Sequence, residues 1–92
     1  MMTFAKEWAS IEADLRRAMG LLPDDVSKDL VRLSQEFIEN NEFELACDSL
    51  EDAAEGHPLS KSFWHHLRDA AAKMKLEDRA TRYKDYAEKS LS

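Results

Sequence analysis

The side chains that most often carry out chemistry are few in this chain: three histidines, His57, His65 and His66, and one cysteine, Cys47. Two histidines of one helix can share a metal ion when they lie four residues apart, whereas adjacent residues such as His65 and His66 point about 100° away from each other. The HExxH, paired CxxC and glycine-rich phosphate-binding motifs do not occur in the sequence. These patterns predict neither a bound metal nor another cofactor.

Cys47 falls on the apolar side of a predicted helix, where a free cysteine behaves as a small apolar residue. No GxSxG motif presents a serine as a nucleophile. A single cysteine cannot form an internal disulfide, which is typical of proteins from a reducing compartment. We therefore expect a protein that is not an enzyme.

The acidic residues are the one reactive group with a clear pattern. Residues 24–55 contain eleven Asp and Glu but two Lys and Arg, and the whole chain carries a formal net charge of −6. This charge disfavours nucleic acid as a partner, because phosphate binding needs a local excess of Lys and Arg. An acidic segment suits a basic protein partner, since complementary charge increases the rate and specificity of association. The alternative interpretation is a well-solvated surface without a partner.

Helices must position these residues, because two glycines and two prolines are too few for the many tight turns of an all-β protein. The 3.6-residue recurrence of apolar side chains predicts helices over about 3–19, 23–40, 41–55, 60–74 and 77–91. We predict an all-α fold, a compact bundle of four to five antiparallel helices forming a single domain over residues 1–92. The first stripe includes Phe4 and Trp8, the second includes Leu33, and the last includes Leu91.

Several residues are predicted to end or begin helices. Gly20 is expected to end the first helix in the left-handed conformation, and Pro23 to open the second. Asn41 with Glu44 is expected to cap the third helix, and Ser60 the fourth.

Ala46 and Ala53 recur as Ala80 and Ala87 after 34 residues, which is the tetratricopeptide period. Ordinary helical hairpins are the favoured interpretation.

The third helix carries acidic residues at helical spacing, opposite its Phe43 and Leu50 face. Trp64 is a candidate interface anchor, because partly exposed tryptophans are enriched at binding hot spots. The predicted partner-binding residues are Asp29, Glu36, Glu44, Asp48, Glu51, Asp52, Glu55 and Trp64. A second hypothesis is a helical adaptor that binds a partner helix in an apolar groove near Trp64, Tyr83 and Tyr86.

The N-terminal residues 1–7 contain the acidic Glu7 where a secretory signal carries positive charge followed by a long apolar run. No apolar stretch approaches the roughly 18 residues that cross a bilayer. We expect a cytoplasmic protein that does not enter a membrane.

The segments Gly20-Leu21-Leu22-Pro23, Asn41-Glu42-Phe43-Glu44-Leu45-Ala46 and Ala72-Lys73-Met74 resemble small helical immunity proteins of bacterial toxin systems. These are the MafI-like proteins and the immunity partners of contact-dependent growth inhibition, and the similarity spans about Ile11 to Met74. The resemblance implies a protein that binds and neutralises a cognate toxin domain, as a monomer or in a 1:1 heterodimer. Many such toxins are nucleases with a basic cleft, which an acidic helix would fill as a mimic of the substrate charge or block sterically.

Overall fold

The chain folds into five α-helices joined by short turns, and the computed structural model describes residues 4–90, with side chains from Lys6 onward. The helices are α1 (Phe4–Met19), α2 (Lys28–Glu39), α3 (Phe43–Ala54), α4 (Lys61–Lys73) and α5 (Glu77–Lys89). No strand occurs between residues 4 and 90, so the predicted all-α bundle is confirmed. Thr3, Leu91 and the side chain of Phe4 lie outside the described residues. Within residues 4–90, every helix is too short or too polar to cross a membrane.

Two helical hairpins and one additional helix form the bundle. In the hairpins α2 packs against α3 and α4 against α5, while α1 lies along α4 and also touches α2 and α3. α1 runs antiparallel to α4, because Ser10 contacts Lys73 whereas Asp14, further along α1, lies beside the earlier residue His66. The Cα radius of gyration of 12.5 Å matches the roughly 12 Å of a compact domain of this length.

The core is built from apolar side chains of all five helices and of the turn before α4. Small residues of α3 and α4 allow close packing, and larger side chains fill the space between them. The fully or nearly fully buried members of this cluster include Ile11, Leu15, Ile38, Phe43, Ala46, Cys47, Leu50, Leu59, Phe63, Leu67, Ala70, Ala71 and Tyr83.

Both hairpins use the same turn. The second residue after the first helix of each hairpin is left-handed, Asn41 with a φ of 60° and Lys75 with a φ of 63°. Its N–H donates to a carbonyl of that helix. The N–H of the following residue donates to the helix carbonyl one residue earlier, and this second bond completes a Schellman motif in each turn. The predicted capping pair of Asn41 and Glu44 is therefore wrong. Asn41 ends α2 instead, and the cap residue of α3 is Glu42, whose side chain makes no capping bond.

Other helix ends follow the sequence in part. Ser60 caps α4 as predicted, since its hydroxyl accepts a hydrogen bond from the N–H of Phe63 at 3.3 Å. Gly20 does not adopt the predicted left-handed conformation, which Gly56 adopts with a φ of 80° after α3. Pro23 does not open α2, because the helix begins at Lys28 after the cap residue Ser27.

The 34-residue spacing recurs in the structure, because the left-handed residues Asn41 and Lys75 are 34 positions apart, as are the two alanine pairs. Tetratricopeptide repeats stack so that each repeat contacts its neighbours. Among the described helices, however, the backbones of α2 and α4 do not approach each other closely, and α1 packs on α4 instead. The recurrence therefore describes two similar hairpins in a different arrangement.

Two apolar residues predicted for the core are exposed, Trp8 at 46% and Leu33 at 38%. The inner face of α2 centres on Ser34 and Ile38, both fully buried. The Ser34 hydroxyl lies 2.6 Å from that of Ser49 on α3, so two small side chains meet where the helices cross. A pattern that counts serine as polar does not detect this face.

Candidate protein-binding surface

The acidic side of α3 faces α5 as well as solvent. The Glu51 carboxylate accepts hydrogen bonds from Arg82 at 2.9 and 3.1 Å, from Arg79 at 3.3 Å and from the hydroxyl of the buried residue Tyr83. Arg79 also contacts Asp48 at 2.5 Å and Glu44 at 3.8 Å. We call the side chains that make these contacts the α3–α5 clasp: Glu44, Asp48, Glu51, Arg79, Arg82 and Tyr83.

The α3–α5 clasp joins two helices whose backbones are not in close contact. The long arginine side chains span the gap, and both helices present their charges at matching intervals of three residues, Asp48 and Glu51 on α3 and Arg79 and Arg82 on α5. Three carboxylates of α3, Glu44, Asp48 and Glu51, therefore meet two guanidinium groups. Asp52 and Glu55 bring the acidic side to five carboxylates against these two cations. The acidic surface retains a net charge of −3 and is less negative than the sequence of α3 alone suggests.

The pKa values of Tyr83 and Arg79 in the clasp are both raised, so both side chains stay protonated. Burial, with added contributions from Cys47 and from the hydrogen bond to Glu51, raises the pKa of the Tyr83 hydroxyl well above its ordinary value. Burial opposes the charge of Arg79, but the hydrogen bonds to Asp48 and Tyr83 outweigh it, and the pKa of Arg79 is raised. Tyr83 is therefore a neutral donor and Arg79 a permanent cation.

Beyond the clasp, the acidic side of α3 borders an open cavity of about 350 Å³. We call it the acidic aromatic cavity. Its lining residues are Glu51, Asp52 and Ala54 of α3, the C-cap residue Glu55 directly after it, Trp64 of α4 and Tyr86 of α5. Asp52 and Glu55 are exposed, and neither forms an ion pair with a described residue. The two exposed carboxylates on the acidic side of α3 that the clasp does not engage therefore lie at this cavity.

The aromatic wall of the cavity is fixed from behind. Trp64 lies edge-on to Tyr86 with ring centroids 4.8 Å apart, and its inner side meets Phe63 at 4.8 Å and Tyr83 at 6.0 Å. Trp64 is half-buried and Tyr86 is 38% exposed. Both also line a second hollow of about 690 Å³ that includes Leu21. The aromatic pair therefore forms a ridge between two concave surfaces.

Most of the predicted partner-binding residues share this side of the molecule, but Asp29 and Glu36 do not. Ser34 marks the side of α2 that faces α3, and a helical rotation of about 100° per residue places Asp29 and Glu36 roughly opposite it. Asp29 pairs with Arg32 at 3.4 Å, and both side chains are largely exposed. The structure joins Trp64 to the acidic residues of α3 and separates the two acidic residues of α2 from them.

Sequence reasoning did not identify Arg79 and Arg82 as part of the surface. The only signal is their spacing, which matches that of Asp48 and Glu51. The arginines can be assigned to these carboxylates only if α5 is known to lie beside α3. A count of charges along the sequence does not show which helices are neighbours. Tyr86 was considered only for the apolar groove, and the same hypothesis placed Tyr83 there, although Tyr83 is fully buried.

A second polar cluster lies between α1 and α4. Potential ligand atoms of Asp14, His66 and Asp69 all lie within 4.8 Å of one another, a spacing that could hold a metal ion. Both oxygens of the buried Asp14 carboxylate already have cationic partners, Lys73 at 2.6 Å and Arg17 at 3.2 Å. The cluster is explained as an ion-pair network around the buried Asp14 carboxylate, in which Lys73 links α4 to α1.

Cys47 is fully buried beneath the clasp. Burial raises the pKa of its thiol to about 12, although Arg79 partly opposes this effect. The thiolate is the nucleophilic form of cysteine, and at neutral pH it is not populated here. Cys47 therefore packs as a small apolar residue, in agreement with its predicted position on the inner face of α3.

Comparison with known protein families, with curated proteins and with solved structures finds no match.

Proposed function

We propose that this protein is an immunity protein that binds and neutralises a basic bacterial toxin domain, with α3 and the acidic aromatic cavity as its contact surface. The observation that carries the proposal is the position of Asp52 and Glu55, two exposed carboxylates without a described ion-pair partner beside the ridge of Trp64 and Tyr86. Binding hot spots commonly combine an aromatic anchor with charged groups. A nuclease toxin with a phosphate-binding cleft supplies the complementary positive charge.

The clasp supports the same proposal by keeping α3 in place. Arg79 and Arg82 hold Asp48 and Glu51 against α5, so the free carboxylates of Asp52 and Glu55 project from a fixed helix. A surface that is ordered before binding loses less conformational entropy in the complex. Tight inhibition of a toxin depends on such pre-organisation.

The experiment is co-expression with each basic toxin domain found in the neighbourhood of this gene, followed by growth measurement and calorimetry of the purified pair. We expect restored growth and a 1:1 complex. The charge reversal Asp52→Lys with Glu55→Lys should abolish protection, because it replaces attraction by repulsion without touching the clasp. The matched control is Asp29→Lys with Glu36→Lys, which makes the same charge change on α2.

Equal protection by both double variants would refute the location of the surface. Failure of the wild-type chain to bind any basic toxin domain from its own gene neighbourhood would refute the proposed function.

A helical adaptor is the second candidate, and the observation that favours it is the larger hollow beside the aromatic ridge, which Leu21 and Leu59 help to line. An apolar groove of this kind accepts the apolar face of a partner helix. The two candidates differ in salt dependence, because affinity for a partner helix in an apolar groove changes little between low and high salt. Binding that is insensitive to salt would favour the adaptor.

A further inference from the structure

We infer that the acidic aromatic cavity receives the guanidinium group of one arginine side chain from the protein partner. This inference rests on the proposed function for the identity of the partner and adds the chemical group that it inserts. Three features of the cavity carry the inference: its charge, its aromatic wall and an equivalent arrangement within the chain itself.

The charge of the cavity selects a cation. Three carboxylates, Glu51, Asp52 and Glu55, line one side, and the described lining contains no basic residue. Glu51 is committed to the clasp, so the unpaired acceptors are Asp52 and Glu55, one helical turn apart on α3. A guanidinium group presents several N–H donors in one plane and can reach two carboxylate acceptors at once.

The aromatic wall selects a planar cation over a compact one. The indole of Trp64 is the aromatic face that attracts cations most strongly, and guanidinium groups stack on such rings more readily than ammonium groups do. Phe63 and Tyr83 hold the indole in place from the core side. The cavity volume of about 350 Å³ equals roughly twelve water molecules at about 30 Å³ each, enough for one long side chain.

Beside the cavity, the chain itself contains a contact of the proposed kind. The guanidinium of Arg82 lies over the ring of Tyr83, 5.6 Å from the centroid, and donates to Glu51 at 2.9 and 3.1 Å. The cavity offers the same pairing of ring and carboxylate, with Trp64 and Tyr86 as rings and Glu55 as acceptor. An arginine from the partner would lie beside Arg82 and make the same type of contact, with an aromatic ring and a carboxylate.

The test uses acetylated tri-arginine amide and the uncharged tri-citrulline amide, which has nearly the same shape. A Trp8→Phe variant leaves Trp64 as the single tryptophan, so its fluorescence reports on the cavity. We expect a saturable fluorescence change with tri-arginine that weakens with salt, and no change with tri-citrulline. In this background, Tyr86→Leu and Glu55→Gln should each lower the affinity about three- to ten-fold, since a cation–π contact or a charged hydrogen bond is lost.

Glu39→Gln is the matched control, because it removes one negative charge from the same acidic segment on an exposed position of α2 outside the cavity. Its affinity should stay within about two-fold of the parent, because Glu39 does not line the cavity and salt screens the charge of an exposed side chain. Equal losses in Glu39→Gln and Glu55→Gln, or equal responses to the two peptides, would overturn the inference.

This assay separates the inference from the proposed function, because it needs no toxin. If tri-arginine binds at the cavity but no toxin domain does, the proposed function is wrong and the arginine site stands. If the toxin domain binds through Asp52 and Glu55 but Tyr86→Leu has no effect on either ligand, the arginine site is wrong and the proposed function stands.

Discussion

Replacing Glu51 by glutamine tests whether the α3–α5 clasp stabilises the fold. The change keeps the size of the side chain and one acceptor oxygen but removes the charge that three donors share. Tyr83 would exchange a hydrogen bond to a charged acceptor, worth about 1.5–3 kcal/mol, for a neutral one worth about 0.5–1.5 kcal/mol. That exchange costs about 1 kcal/mol.

The two arginines add smaller amounts to this cost. Arg79 is 19% exposed and keeps Asp48 as a partner, so losing the Glu51 charge costs it about 0.5–1 kcal/mol. Arg82 is 42% exposed, and its pair contributes at most about 0.5 kcal/mol because solvent screens it. We therefore expect Glu51→Gln to lower the free energy of unfolding by about 2 kcal/mol. For a domain of this size the melting temperature should fall by about 10 °C.

The assay is urea denaturation followed by circular dichroism, with Glu55→Gln as the matched control. Glu55 lies one turn further along α3 and is exposed, so the same substitution should change the free energy of unfolding by less than about 0.5 kcal/mol. If Glu51→Gln and Glu55→Gln were equally stable, the contacts of Glu51 with α5 would not stabilise the fold, and the reasoning would be wrong.

Two further predictions concern Cys47 and Lys75. The unfolded Cys47 thiol loses its proton above its ordinary pKa of 9.0, whereas the pKa of the folded thiol is raised to about 12. The contribution of this thiol to the free energy of unfolding is therefore fully present below pH 9 and falls as the pH rises. Between pH 8 and pH 10 this group should cost about 1.4 kcal/mol, and denaturation of Cys47→Ala should lack that part of the loss. Lys75→Gly should raise the free energy of unfolding by roughly 0.5–1 kcal/mol in the same assay, because glycine adopts a φ of 63° without the strain of a side chain. A destabilised Lys75→Gly, or an alkaline loss equal in Cys47→Ala and wild type, would contradict these assignments.

The sequence predicts the helices and the inner faces of α3 and α4 because their apolar residues recur at helical spacing. It fails for α2, where Ser34 is buried through a hydroxyl contact with Ser49 while Leu33 points outward. Hydrophobic periodicity cannot detect a helix contact made by two small polar side chains, since their burial depends on a partner that lies 15 residues away.

The candidate surface is predictable in part for a similar reason. The spacing of Asp48, Glu51, Asp52 and Glu55 along α3 follows from the sequence alone. The sequence does not show which of these carboxylates stay free of ion pairs, because Arg79 and Arg82 become neighbours of α3 only through the packing of α5. The meeting of Trp64 with Glu55 at one cavity is likewise a property of the tertiary fold.

The most direct test of the acidic surface as a binding site is the rate constant for association with a basic toxin domain from the gene neighbourhood. It is measured by stopped flow across a range of salt concentrations. We predict a rate constant that falls steeply as salt rises, because ions screen the attraction between opposite charges. Asp52→Lys with Glu55→Lys should reduce the rate at low salt and flatten its salt dependence. A rate constant that is independent of salt, and equal for wild type and the double variant, would contradict the proposed function of this surface.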